Sequence, residues 1–180
     1  MDGKSNPHDE SDGAFALYGL PGHLVRRLQQ ASVSLFVEET LNAGFDLTPV
    51  QYAALFGVSE HPGLDQISLA GLIAYDRTTI GGVIDRLEAK GLLRRESSPD
   101  DRRVRTLYVS PEGQELLVAI RPTVAKIQAG ILQPLSAEES SIFMMLLSKL
   151  VRAKNGRTRV PLRPVKTRKI RARGTAGAKG

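Results

Sequence analysis

Three consecutive side chains able to read a nucleic-acid base, Arg77, Thr78 and Thr79, follow directly on Asp76. A guanidinium bonds a guanine edge bidentately, and a threonine can donate to a base or phosphate or lay its methyl against thymine. In a helix, Gly81 and Gly82 one turn later remove side-chain bulk, and Arg86 returns two turns beyond Thr79 on a nearby face. A second cationic group, Arg102 and Arg103 with Arg105 just beyond, closes a turn built from Ser97-Ser98-Pro99-Asp100-Asp101. At a turn's tip a guanidinium reaches a minor groove or a phosphate, where charge-assisted contacts are strong. Each group also has a plainer reading. The first is an amphipathic helix with Ile80, Val83, Ile84 and Leu87 inward, and the second a solvated charged turn. A helix that reads DNA must also dock, so the first pair of readings overlap. The direct succession of the two groups favours DNA contact for both.

Other chemistries lack their residues. There is no cysteine, so disulfides, thiolate metal sites and thiol redox sensing are excluded. His8, His23 and His61 lie far apart with no i,i+4 pair, so neither a metal nor a cofactor is expected. No nucleophile–base pair or phosphate loop is present, and the chain does not read as an enzyme. No apolar run approaches the roughly 18 residues that span a bilayer, and the acidic start at Asp2, Asp9, Glu10 and Asp12 is unlike a signal peptide. No membrane partner and a cytoplasmic, nucleoid-associated location are therefore expected.

The net charge of +6 is unevenly spread. Residues 154–180 hold ten Lys and Arg and no acid, leaving residues 1–153 at −4. Within that acidic body, residues 77–105 gather eight of its 15 basic residues against five acids. This concentration is an electrostatic footprint for an anionic partner. The tail itself reads either as a nonspecific DNA tether or as a solubilising end.

Several elements must position these groups. Residues 1–13 read as a disordered leader and 154–180 as a basic disordered tail. Apolar residues at 20, 24, 28, 31 and 35 predict a first helix over about 20–43, ended by Gly44. Thr48-Pro49-Val50-Gln51 starts a second helix, which stops at His61-Pro62-Gly63. A short third helix over 65–72 and a fourth from the Asp76 cap to Gly91 form a helix-turn-helix pattern. Extended segments at 92–96 and 104–109 then predict a β-hairpin. Ser110-Pro111-Glu112 opens a helix over about 111–131, with a heptad-like seam at 117, 120, 124, 127 and 131 and a kink expected at Pro122. A capping box at Ser136-Ala137-Glu138-Glu139 opens the last helix, to about 153. The fold class is mainly α with a small β-hairpin wing: a single winged helix-turn-helix domain over 14–153, with its DNA-binding lobe at about 48–110.

The run Leu87-Glu88-Ala89-Lys90-Gly91-Leu92-Leu93, then Asp101-Arg102-Arg103, then Val109-Ser110-Pro111-Glu112-Gly113 resembles the MarR (multiple-antibiotic-resistance regulator) family over about residues 20–153. Val109-Ser110 replaces the family's usual Leu-Thr and keeps the cap. The resemblance implies a homodimer built from the helices at about 20–43, 111–131 and 136–153. It implies binding to an inverted-repeat operator in double-stranded DNA, and a small-molecule pocket between the dimer helices and the DNA-binding lobe. The opening Gly22-His23-Leu24-Val25-Arg26-Arg27-Leu28-Gln29-Gln30 is similar to regulators of aromatic-acid degradation, including hydroxycinnamate. That similarity implies a repressor released by an aromatic acid or its CoA thioester. His23, Arg26 and Arg27 would receive a carboxylate or CoA phosphate, and Phe36, Tyr52 and Phe56 would contact a ring. Arg26 and Arg27 can equally pair with Glu38, Glu39 or a partner chain. The alternative function is a nucleoid-type architectural protein that coats DNA with its basic tail; the ratio of operator to random-DNA affinity separates the two.

Overall fold

Three of the helices begin on a proline, whose fixed φ and missing N–H suit a first helical position. They are α1 (Pro21–Asn42), α2 (Pro49–Glu60) and α5 (Pro111–Leu132) in the structure, a computed structural model that describes residues 17–97, 104–157 and 161. The other three start on side-chain caps. Asp65 accepts from the Ser68 N–H at 2.8 Å to open α3 (Gln66–Leu72), and Asp76 opens α4 (Arg77–Ala89). At α6 (Ala137–Lys154) the capping box is reciprocal: the Glu139 N–H donates to Ser136 Oγ at 3.2 Å, and the Ser136 N–H donates to Glu139 Oε2 at 2.8 Å. A short 3-10 turn follows at Asn155–Arg157. The leader, the wing tip and all of the tail past 157 except Pro161 lie outside the described residues.

Three helices end in one motif. After α1 and α4 the next-but-one residue is a left-handed glycine, Gly44 (φ 77°) or Gly91 (φ 71°), as the sequence indicates. Behind them the Phe45 N–H reaches the Thr40 carbonyl at 2.8 Å and the Leu92 N–H the Leu87 carbonyl at 2.9 Å. After α3 the same geometry falls on Ala74, at φ 58°, with the Tyr75 N–H donating to the Ala70 carbonyl at 3.0 Å. A Cβ in this region is strained, so Ala74→Gly should relieve strain but also loosen the unfolded chain. The net expectation is a thermal midpoint raised by about 2 °C in calorimetry at fixed protein concentration. A lower midpoint would show that the turn tolerates alanine without strain.

The sheet has one more strand than the hairpin. β2 (Leu93–Ser97) and β3 (Arg105–Val109) pair antiparallel from Leu93 opposite Val109 to Ser97 opposite Arg105. β1 (Leu64–Asp65) adds to the other edge of β3, giving the order β1-β3-β2. The helix α5 continues through Pro122.

The chain forms two units. One comprises residues 1–49 and 120–141, where Phe36, Thr40, Ile120 and Ile127 are buried and Lys126 pairs with Glu39 at 2.7 Å. Ile120 and Ile127 are two of the five seam positions of α5. Here α1 and α5 approach closely enough that a Cβ on Gly130 would meet Leu35 at 3.0 Å. The other comprises residues 50–119 and 142–180, with a core of Leu55, Val58, Leu69, Ile80, Val83, Ile84, Leu87, Leu93 and Leu107.

Candidate nucleic-acid interface

In the second unit α4 divides cleanly. Ile80, Val83, Ile84 and Leu87 are buried, and Arg77, Thr78, Thr79 and Arg86 are exposed. The buried and the exposed positions thus fall on different faces of one helix, as an amphipathic helix requires, and the exposed face is free to meet a partner. The start of α4 is built around Asp76. Its carboxylate accepts from the Thr79 N–H at 2.9 Å, from Thr78 Oγ1 at 2.5 Å and from Thr79 Oγ1 at 2.9 Å. The Gln66 side chain at the start of α3 donates to the Arg77 carbonyl at 3.3 Å, joining the two helices of the helix-turn-helix. The Thr78 hydroxyl first, then the Thr79 N–H and hydroxyl, hold the Asp76 carboxyl well below the usual carboxylate range. A carboxyl with a depressed folded value stabilises fully above its ordinary value, near 3.8, and loses that contribution only as pH falls below it. The cap is therefore intact at neutral pH.

The wing is tied to α4 by residues the sequence reading passed over. Arg95, on β2, forms ion pairs with Asp85 at 2.5 Å and with Glu88, both on α4, and its N–H also donates to Glu88 at 3.3 Å. Burial works against the Arg95 charge, but the bonds to Asp85 and Glu88 outweigh it and hold its pKa above the ordinary arginine value. Arg94 pairs with Glu96, and its guanidinium lies 5.0 Å from the centre of the Tyr108 ring. Two of the eight cations in the basic concentration are thus engaged with acids inside the lobe. Arg105 sits at the hairpin stem, donating to Ser97 Oγ at 3.2 Å, while Arg102 and Arg103 lie outside the described residues. Pro161 rests near α3: a Cβ on Gly71 would come within 3.3 Å of its carbonyl.

The candidate effector residues fall in both units. On α1, His23 meets Tyr18 edge-on at 5.2 Å, Arg26 and Arg27 are exposed, and Phe36 is buried. His23 Nε2 is buried without a hydrogen-bond partner among the described residues. On α2, Tyr52 and Phe56 stack at 5.9 Å with an interplanar angle of 13°. Glu39, one suggested partner of Arg26 and Arg27, pairs with Lys126 instead. No group of His, Asp or Glu among the described residues could hold a metal ion, and no described helix is long and apolar enough to cross a membrane.

A helix-turn-helix whose second helix exposes Arg77, Thr78, Thr79 and Arg86, followed by a β-hairpin that completes a three-stranded sheet, defines a winged-helix fold. Residues 47–104 match the MarR family. The transcriptional regulator HosA of Escherichia coli O111:H- is 32% identical over 139 residues, which span 77% of this chain and all of that protein. The chain belongs to the MarR family of transcriptional regulators. Among solved structures, the Streptomyces coelicolor regulator PcaV, in complex with its natural ligand, is 34% identical with a TM-score of 0.67 over 76% of this chain and 95% of that one. Bordetella bronchiseptica BpsR, whose DNA binding is regulated by 6-hydroxynicotinic acid, is 29% identical with a TM-score of 0.67 over 72% and 96%. These relatives are regulators rather than enzymes or architectural proteins.

Proposed function

We propose that the chain acts as a homodimeric repressor that binds an inverted-repeat operator and is released by an aromatic acid or its CoA thioester. The observation that carries the dimer is α6. This helix of 18 residues has none buried in the single chain, and Ile142, Met144, Met145, Leu146, Leu150 and Val151 all stand exposed, Val151 at 62%. On α1, Leu24, Val25 and Leu28 are exposed too. Each helix thus carries its own exposed apolar surface, of the kind that marks association. A two-fold dimer presents two copies of α4, and two half-sites about 34 Å apart place both in successive major grooves. The effector class is supported by BpsR, whose DNA binding is regulated by 6-hydroxynicotinic acid, and by the His23 Nε2, unpartnered among the described residues, which can donate a hydrogen bond to a carboxylate.

Sedimentation and gel-shift titration test the reading together. The protein should sediment as a dimer and prefer an inverted repeat to a single half-site. Arg77→Ala should cost about 1–3 kcal/mol on the operator and relax the preference at one position per half-site. Arg103→Ala should weaken operator binding while leaving the dimer folded. A monomer with no half-site preference would refute the assignment, and unchanged affinity in R103A would remove the wing from it.

A further inference from the structure

Thr78 and Thr79 look at first like general-purpose hydrogen-bonding residues, and their bonds to Asp76 restrict what they can do. An ionised carboxylate only accepts, so in both hydroxyl contacts, at 2.5 and 2.9 Å, the threonine is the donor. Each hydroxyl has a single proton, and both protons are spent on the cap. Each threonine keeps its oxygen lone pairs and its methyl group. All three side chains are exposed at the start of α4. The geometry is held from both ends, since Asp76 also caps Thr79 and Gln66 bonds the Arg77 carbonyl.

The major-groove edges sort by this restriction. Guanine offers only acceptors, N7 and O6, which a threonine without a free proton cannot satisfy. Cytosine offers an N4–H donor without a methyl, adenine an N6–H donor, and thymine a methyl. Only an A·T pair, in either orientation, supplies both a donor and a methyl. We propose that Asp76 is a positioning residue for base specificity: by holding both hydroxyl protons it makes Thr78 and Thr79 select A·T pairs and leaves guanine recognition to Arg77. This rests on the reading that the start of α4 enters the major groove.

The test selects preferred sites from inverted repeats with randomised half-sites, using the full chain and its variants. Wild type should enrich A·T at one or two positions per half-site. Replacing thymine there with deoxyuridine, which removes only the methyl, should weaken binding about fourfold. Asp76→Asn keeps a good helix cap but has only one acceptor oxygen, so it frees a threonine proton. It should tolerate guanine at those positions, with the ratio of A·T to G·C affinity reduced about threefold or more; the lost negative charge strengthens binding to every sequence alike and cancels in that ratio. The double variant T78S/T79S keeps both bonds to Asp76 and should lose the thymine-to-deoxyuridine difference. An unchanged A·T preference in D76N, or selection of G·C at every position near α4, overturns the proposal while leaving base reading by α4 in place. If Arg77→Ala, Thr78→Ala and Thr79→Ala each weaken operator and random DNA equally, the α4 reading itself fails and takes this proposal with it.

Discussion

Gly113→Ala is expected to destabilise the chain by about 3 kcal/mol, lowering the thermal midpoint by about 10 °C. A Cβ at this position would lie 2.3 Å from the Leu92 carbonyl oxygen and 2.7 Å from a Val109 methyl. The carbonyl cannot give way, because it already accepts from the Ser110 N–H at 3.1 Å. Ser110 is itself fixed, donating to the Gly91 carbonyl at 2.6 Å and accepting from the Gly113 N–H at 3.0 Å. The first turn of α5, the end of α4 and the close of the wing thus meet at one point that only glycine fits. Gly22→Ala is the control: it lies in α1 with nothing within 4 Å and should leave the midpoint unchanged or raise it. Gly44→Ala should fall between the two, since it has open space but a left-handed φ of 77°. A midpoint for G113A close to wild type in circular dichroism would show that α5 can shift away from the wing at little cost.

The helices were legible because their ends are written in side chains that satisfy backbone groups locally. Pro49 and Pro111, the Asp76 and Ser136 caps, and Gly44 and Gly91 each act on a neighbouring turn. What escaped the sequence acts at longer range or without its usual residue. Two residues, Leu64 and Asp65, are too few to show a strand period, so β1 becomes visible only through its pairing with β3. The left-handed turn at Ala74 carries no glycine to announce it. Arg95 reads as one more cation for DNA, and its pairing with Asp85 and Glu88 depends on β2 folding back over α4. The site shows the same division. Arg77, Thr78, Thr79 and Arg86 could be picked out by type and spacing, and they are exposed as a reading face requires. Which way the threonine protons point is set by the Asp76 side chain and is invisible in the residue names.

Titrating an aromatic acid into the protein–operator complex is expected to release the DNA, with operator affinity reduced by about tenfold or more at saturation. The argument depends on differential binding alone. A ligand that binds the DNA-bound and free forms equally shifts nothing, however tightly it binds. In the proposed dimer the two α4 copies must span about 34 Å, so an effector releases DNA if it binds better to an arrangement in which that spacing is lost. Linkage then fixes the reverse effect: operator DNA must weaken binding of the acid by the same factor. Calorimetry with benzoates, cinnamates, hydroxynicotinates and their CoA thioesters, with and without operator, measures both halves. His23→Ala, which removes the unpartnered Nε2, should weaken the acid while leaving operator affinity in its absence unchanged. Tyr52→Ala, which breaks the stack with Phe56, should do the same if the ring is read there. If no member of the panel binds, or one binds equally with and without operator, the sensor reading fails while DNA binding by α4 stands. If H23A loses operator affinity without any acid present, His23 supports the fold rather than the ligand.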